Sequence, residues 1–470
     1  MRNLYVRLSD YSFIRIYDDG SLGYIMNEKN NLEKIYDEIG ADFLAELKRT
    51  PTSIKEIEKN LKNLYRNIDS DLLNQDLINF LEELHNNKFI EISNTSDKDK
   101  LQYDIIKNNQ THFLENSINN LPETQRSLFV HDSQKPTLRT IHIELTNKCN
   151  ERCVHCFIPN NEKEHGVHFR LKNLKRVLNE FKELGGVRII LSGGEPLLHP
   201  DFIEIIKFCR ELDLSISIFS NLISCDDHLI EAIKNVRVAN LQVSLYSIIE
   251  NEHDRITKVT GSYKKTIGAI EKLRKKGIPV SISCPLMKIN KNSFTQLIHY
   301  AVSQKIPYKT DIYLMGQTDF TKDNLSERLS VNEIAEVIKD LKKINSSSEI
   351  FGQEKYETKS HSSYNLPVCS AAINMLCISS NGDVYPCVSL SKKKCGNIYE
   401  TSLKEIWNHS KELNEIRNIR QSDFPKCKDC DSKEYCNMCM GKNCFENNGD
   451  ILKIPDYCCD LAHATKSVME

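Results

Sequence analysis

The sequence predicts an α/β protein in three parts: a winged-helix-like α+β domain, a partial (β/α)6 barrel, and a Cys-rich domain held together by metal. Three observations lead there. From Arg139 onward, apolar runs of strand length alternate with amphipathic stretches of helical spacing, the rhythm of a parallel sheet covered by helices. Residues 1–95 have another order, short strands followed by three helical patterns and a closing strand. The 17 Cys are unevenly placed: none precedes Cys149, six fall between Cys149 and Cys284, and eleven crowd into 369–459.

A chain of 470 residues exceeds what one hydrophobic core serves, so several domains are expected. In the first, 4–8, 13–17 and 22–26 read as strands, with Asp18-Asp19-Gly20-Ser21 as a hairpin turn. Residues 32–47 carry apolar side chains at helical spacing, Ser53-Ile54-Lys55-Glu56 is a capping box, and Asp69 caps a helix running to about His85. A strand at 89–92 closes the unit. Residues 96–137 are polar and read as a linker with one helix. Barrel strands are predicted at 139–145, 187–191, 214–219, 239–245, 279–284 and 308–314, within a domain spanning 138–325. Six are too few for the closed eight-stranded barrel, so the barrel is expected to be open. A connector follows at 326–365. The last domain, 366–470, lacks long periodic apolar runs and should depend on its metal sites.

Composition narrows the function. Apolar residues make up 40% and charged residues 27%, which fits a folded globular chain, and the net charge of -2 gives no global attraction to nucleic acid. No apolar run reaches membrane-spanning length, and residues 1–10 lack the apolar core of a secretory signal, so a cytoplasmic location is expected. In a reducing compartment, clustered Cys serve metal or redox chemistry more often than disulfides.

Directly after the first barrel strand comes Cys149-Asn150-Glu151-Arg152-Cys153-Val154-His155-Cys156, spaced CxxxCxxC. Three thiolates on one loop can ligate three irons of a 4Fe-4S cluster and leave the fourth open. An open iron can chelate the amino and carboxylate groups of S-adenosylmethionine (SAM) and deliver the electron that releases a 5'-deoxyadenosyl radical. A zinc site completed by His155 or a further Cys is the alternative. The second strand runs into Ser192-Gly193-Gly194-Glu195-Pro196, where two Gly permit close backbone approach and Glu195 can accept hydrogen bonds from an ammonium group.

At these residues the chain resembles the radical SAM superfamily. The resemblance implies that Cys149, Cys153 and Cys156 ligate the SAM-cleaving cluster and that Gly193, Gly194 and Glu195 contact the SAM methionine group. It also implies that Asn221 lies near the ribose and that Ser244, in Val243-Ser244-Leu245-Tyr246, meets the carboxylate. Leu222 stands where the family has Gly, Tyr246 where it has Asp, and Thr257 where an Arg is frequent. Read without the resemblance, Asn221 and Ser244 are ordinary turn and strand-end polar residues.

The carboxy-terminal Cys have their own spacing. Cys369 is followed by twelve residues, Gly382, four residues and Cys387; Asn381-Gly382 is a hairpin signal that places these two Cys on strands near a tight turn. Cys427-Lys428-Asp429-Cys430, five residues, Cys436-Asn437-Met438-Cys439 and Cys458-Cys459 complete the set. This resembles the SPASM domain, which implies two auxiliary 4Fe-4S clusters, one held by Cys369, Cys387 and Cys439, the other by Cys427, Cys430, Cys436 and Cys458. The short CxxC at 436–439 departs from the commonest SPASM spacing and resembles that of thioether-forming maturases. Cys377, Cys444 and Cys459 are surplus: each can complete the first cluster, replace a named ligand or do neither, and Cys377, in an apolar stretch, reads best as core. Cys209, Cys225, Cys284 and Cys395 read as buried or incidental thiols, and a two-zinc ribbon is the alternative for the whole field.

Residues 1–95 carry 12 Lys plus Arg against 17 Asp plus Glu, a poor match for DNA, which requires a basic face. An acidic module with exposed hairpin strands suits capture of a peptide as an added strand. Its order of elements resembles the RiPP recognition element, which binds leader peptides of ribosomally made natural products. The three parts together resemble a sactipeptide-type maturase, in which a Cys thiolate of a precursor peptide closes a thioether onto a carbon activated by the radical. The resemblance implies a flavodoxin- or ferredoxin-type electron donor. Epimerisation, carbon-carbon crosslinking and formylglycine formation are alternatives within the same chemistry, and a metal-binding winged-helix regulator is the alternative outside it.

Overall fold

The computed structural model describes residues 4–17, 20–30, 32–94, 123–163, 166–347, 366–436 and 438–470. The chain forms two compact units, one made of Met1–Asn108 with Gly185–Val187 and Asp213–Ser215, the other of the remainder.

The first unit begins with β1 (Tyr5–Leu8), β2 (Ser12–Tyr17), β3 (Leu22–Asn27) and β4 (Leu32–Tyr36), then α1 (Glu38–Ala45), β5 (Thr52–Ser53), α2 (Ile54–Leu64), α3 (Ser70–Asn86) and β6 (Ile90–Ser93). Its strands form two antiparallel sheets, in the orders β5-β1-β6 and β2-β3-β4. Caps expected from sequence are in place: Ser53 Oγ accepts from Glu56 N at 3.2 Å and Asp69 Oδ1 from Leu72 N at 3.0 Å. The helix expected over 32–47 is not. Its first five residues pair with β3, from Asn27↔Leu32 to Gly23↔Tyr36, and only then does Asp37 cap α1. Spacing that suits a helix also suits a strand over so few residues, and the neighbouring ladder decides. Of the hairpin turn at 18–21, Asp18 and Asp19 lie outside the described residues. Leu8, Ile25, Phe43, Ile57, Leu61, Leu77, Leu81 and Phe89 fill this unit's core.

In the second unit α4 (Glu123–Gln134) leads into β7 (Thr140–Thr146), and Asp132 on that helix holds the buried Arg139 guanidinium through bonds of 2.7 and 2.9 Å. Most of the expected linker, 96–122, lies outside the described residues. There follow α5 (Leu171–Glu183), β8 (Arg188–Gly193), α6 (Phe202–Glu211), β9 (Ser215–Ser220), α7 (Asp227–Val236), β10 (Asn240–Ser244), α8 (Glu250–Thr257), α9 (Ser262–Lys275), β11 (Val280–Pro285), α10 (Phe294–Ser303) and β12 (Tyr308–Asp311). Strands β7 to β12 lie side by side in chain order, with β7 parallel to β8 and β9 to β12 parallel to one another. Along each, alternate residues such as Ile141, Ile143, Ile216, Ile218, Leu241 and Val243 are fully buried on the face that helices cover. The carboxyl ends of all six strands share one rim, where chemistry sits in such sheets.

After α11 (Val331–Ser347), residues 348–365 of the expected connector lie outside the described residues. Then β13 (Met375–Ile378), β14 (Asp383–Tyr385) and β15 (Gly396–Asn397) extend the barrel sheet to nine strands, β13 pairing in parallel with β7. The turn at Asn381-Gly382 forms, with Gly382 at φ +85°, but Cys369 precedes β13 and Cys387 follows β14, so neither thiol is on a strand as expected. The two strands are four and three residues long and end before reaching them. Four short helices follow: α12 (Leu403–His409), α13 (Lys411–Arg417), α14 (Met440–Glu446) and α15 (Asp456–Met469). Leu376, Ile378, Val384, Leu390, Leu403 and Trp407 are buried, so this part has an apolar core besides its thiols. No helix among the described residues is long and apolar enough to cross a membrane.

Candidate cluster and cofactor site

The triad loop leaves the carboxyl end of β7 and is tied down at several points. Gly194 N donates to Thr146 O at 2.7 Å and Glu195 N to Lys148 O at 2.8 Å, while Arg152 N and Val154 N donate to Thr257 O and Ile256 O, both at 3.0 Å. A Cβ on Gly193 would meet Thr146 O at 2.2 Å, and one on Gly194 would meet Lys148 O at 2.3 Å. The backbone approach that the two Gly permit is therefore to the cysteine loop itself.

Glu195 is buried with both oxygens in use: Oε1 accepts from Ser220 Oγ at 2.7 Å and Leu197 N at 3.1 Å, and Oε2 from Asn221 N at 2.8 Å. Burial pushes its carboxyl up to about 7, partly offset by these donors. Asn221 Nδ2 donates to Asn150 Oδ1 at 2.7 Å, so Asn221, after the third strand, is bonded both to the triad loop and to Glu195 of the second loop. Leu222, the Gly position of the resemblance, adopts φ +63° while buried. Ser244 ends β10 half-buried, near Tyr246.

Sequence reading missed a second carboxylate. Glu151, inside the triad, is buried; its Oε1 accepts from Ser262 Oγ at 2.6 Å and its Oε2 from the Cys153 thiol at 3.3 Å. Ser262 in turn meets His253 Nε2 at 3.2 Å, and His253 Nδ1 accepts from Tyr246 N at 3.2 Å. The tautomer is fixed, with Nε2 carrying the proton, and burial pushes that imidazole down to about 4. Tyr246 closes the ring, its hydroxyl 3.9 Å from Cys153 Sγ and its ring against His155 at 4.7 Å. The available signal was position: a charged residue inside a three-thiol loop must find a buried partner.

Burial raises the Cys149 thiol to about 11 and Cys153 well above its ordinary value, and neighbouring thiolates and Glu151 add to both shifts. Cys153 and Cys156 also line an open cavity of about 120 Å³ with Arg152, Lys258 and Asn324. Downstream, the thiols fall into two neighbourhoods. Cys369, Cys387 and Cys439 stand close enough that each thiolate opposes the next, with Cys377 beside Cys387 and Cys444 beside Cys439. Cys427, Cys430, Cys436, Cys458 and Cys459 form the other, where the neighbouring Cys458 thiol lowers Cys436 below its ordinary value. Cys209, Cys284 and Cys395 are buried, and Cys225 is half-buried.

An open parallel sheet with three thiols at the end of its first strand and two thiol neighbourhoods downstream defines an iron-sulfur α/β enzyme scaffold. Comparison gives the particular kind: residues 143–301 match the Radical SAM superfamily and residues 369–431 match the SPASM iron-sulfur cluster-binding domain. The chain joins a radical SAM domain to a SPASM domain. An AdoMet-dependent heme synthase of Methanosarcina barkeri is 26% identical over 338 residues, spanning 68% of this chain and 96% of the relative. A PqqA peptide cyclase of Gluconobacter oxydans is 22% identical, spanning 55% and 73%. In fold, the chain is similar to Streptococcus suis SuiB bound to precursor peptide SuiA, with a TM-score of 0.63, 17% identity, and coverage of 96% of this chain and 99% of SuiB.

These domains imply 4Fe-4S clusters and SAM as cofactors. The donor chemistry fits. Thiolates that repel one another and are costly to form when buried become stable once iron supplies the positive charge. Among the described residues no three His, Cys, Asp or Glu side chains converge on a single ion, whereas a cluster asks each thiol only for its own iron.

Proposed function

We propose that this protein modifies a ribosomally made precursor peptide by radical SAM chemistry, closing thioethers between Cys sulfur and carbon in the sactipeptide manner. The observation that carries this reading is the fold likeness to SuiB, a protein solved with its precursor peptide: coverage of 96% of the chain cannot be reached without the amino-terminal unit. PqqA peptide cyclases among the relatives support a peptide substrate.

In this reading Cys149, Cys153 and Cys156 hold the cluster whose open iron, when bound, supplies the electron that cleaves SAM. Gly193, Gly194, Glu195, Asn221 and Ser244 shape the SAM cradle, Glu195 by bracing its two loops. Cys369, Cys387 and Cys439 serve one auxiliary cluster, and Cys427, Cys430, Cys436 and Cys458 the other. The amino-terminal unit is a winged-helix-like leader-binding domain; β4 lies at a sheet edge and can take an added strand. Leader capture raises the local concentration of the tethered core peptide. A cytoplasmic flavodoxin or ferredoxin supplies electrons. The five-part division at residues 95, 137, 325 and 365 belongs to the same proposal.

The test is anaerobic incubation of reconstituted enzyme with small Cys-containing peptides encoded beside its gene, read by mass spectrometry. A loss of two hydrogens per crosslink is expected; unchanged mass with inverted stereochemistry would replace thioether formation by epimerisation. Deleting residues 1–95 should weaken peptide capture and spare SAM cleavage, and equal loss of both would refute leader docking. The identity to heme synthases favours a second reading, a tetrapyrrole substrate, in which heme-type absorbance changes during turnover and no peptide changes mass.

A further inference from the structure

One side chain at the sheet's inner face has no role in the chemistry above. Along β7, Ile141, Ile143 and Leu145 lie buried on the helix-covered face, so His142 and Glu144 point to the other. His142 is satisfied: its Nε2 meets the Ser192 hydroxyl of β8, its ring lies 6.0 Å from Phe219 of β9, and burial keeps it neutral. Glu144, one step nearer the rim, is half-buried, and its carboxylate makes no hydrogen bond or ion pair with any described residue. The titratable groups around it are Glu162 on the turn after the triad, Cys377 of β13 and Tyr385 of β14. None supplies a positive charge. Buried structural carboxylates gather donors, as Glu151 and Glu195 do, so a carboxylate left without them at the reactive rim awaits a partner from outside.

We propose that Glu144 is the barrel's proton acceptor, the group that takes the thiol proton when the substrate's carbon-sulfur bond closes. This rests on the peptide-modifying reading. The balance is simple: the substrate loses a C–H hydrogen atom to the 5'-deoxyadenosyl radical, which becomes deoxyadenosine, an S–H proton to Glu144 and one electron to an iron-sulfur acceptor, and gains a C–S bond. Burial and the nearby Glu162 charge lift the Glu144 carboxyl to about 7, where a base can both accept and release a proton near neutrality.

The experiment uses anaerobically reconstituted holoenzyme in two arms. Infrared difference spectra of wild type against Glu144→Gln should show a protonated-carboxyl band that titrates near 7; a band titrating at the ordinary 4.5 overturns the assignment whether or not any peptide reacts. With the Cys-containing peptides as probe, Glu144→Gln should cut thioether product about 100-fold while deoxyadenosine release stays within about twofold, and Glu144→Asp should recover part of the rate. Wild-type kcat/KM should fall as pH drops below about 7, and Glu144→Gln should lack that limb. Product formation at the wild-type rate in Glu144→Gln overturns the proposal. Should that variant lose its clusters, Glu162→Gln decides: with the like charge gone, the wild-type limb should move to lower pH, and a limb that stays in place overturns the proposal. If the infrared band titrates near 7 but no peptide reacts, the peptide reading fails, and the thiol-proton role of Glu144 falls with it.

Discussion

The loop carrying Cys149, Cys153 and Cys156 and the segment carrying Cys427, Cys430 and Cys436 hold the same side chains in opposite ways. The first is tied by backbone bonds to the second strand's loop and to the end of α8, and braced by the buried carboxylates Glu151 and Glu195. The second runs through isolated turns at Pro425–Cys427 and Lys433–Tyr435 whose backbone bonds span three residues, such as Cys427 N to Phe424 O at 2.9 Å, and side-chain bonds tie it to α15, Ser432 Oγ with His463 Nδ1 at 2.7 Å and Lys466 Nζ to Asp431 Oδ2 at 2.8 Å. We propose that the first site is built in advance, whereas the second takes more of its shape from metal. Such a division suits the two tasks, because a cofactor bound and released at every turnover needs a preformed cradle, and a resident cluster can organise its own surroundings.

The largest way to break this contrast is Gly194→Ala. Its Cβ would press on Lys148 O at 2.3 Å, with backbone on both sides, so the loop must move. A cost of about 2–4 kcal/mol is expected, with loss of triad iron and retention of auxiliary iron, read by calorimetry and iron analysis. Gly268, where an added Cβ meets nothing within 4 Å, is the control position for Ala. Next comes removal of iron by a chelator. Hydrogen exchange should then rise at least about tenfold through 425–439 and little through 146–156; equal rises would show that the triad loop also needs its metal. The smallest is Leu222→Gly. Relief of the positive φ is worth about 1 kcal/mol and loss of a buried Leu costs about 2–5, so net destabilisation of about 1–4 kcal/mol is expected from denaturant unfolding.

The strand rhythm from Arg139 onward and the thiol spacings were legible in the sequence because both are local: period, loop length and ligand interval are written within a few residues of each other. What escaped was pairing at a distance. The stretch Leu32–Tyr36 became β4 because β3 lay beside it, and Met375–Ile378 became a barrel-sheet strand because β7, far away in the chain, offered a parallel edge. Neither partner is marked in the short segment itself. Glu195 was legible from its Gly-Gly-Glu turn, but Glu144 and Glu151 were hidden for a related reason: they look alike in sequence, and only their surroundings separate a bracing group from an unpaired one.

The preformed triad is tested most directly by anaerobic reconstitution of the wild type and Cys153→Ala, followed by iron analysis and deoxyadenosine release from SAM under reduction without peptide. About 12 irons per chain are expected in the wild type, about four fewer in the variant, and deoxyadenosine only from the wild type. A colourless, zinc-loaded wild type, or deoxyadenosine release that survives Cys153→Ala, would contradict it.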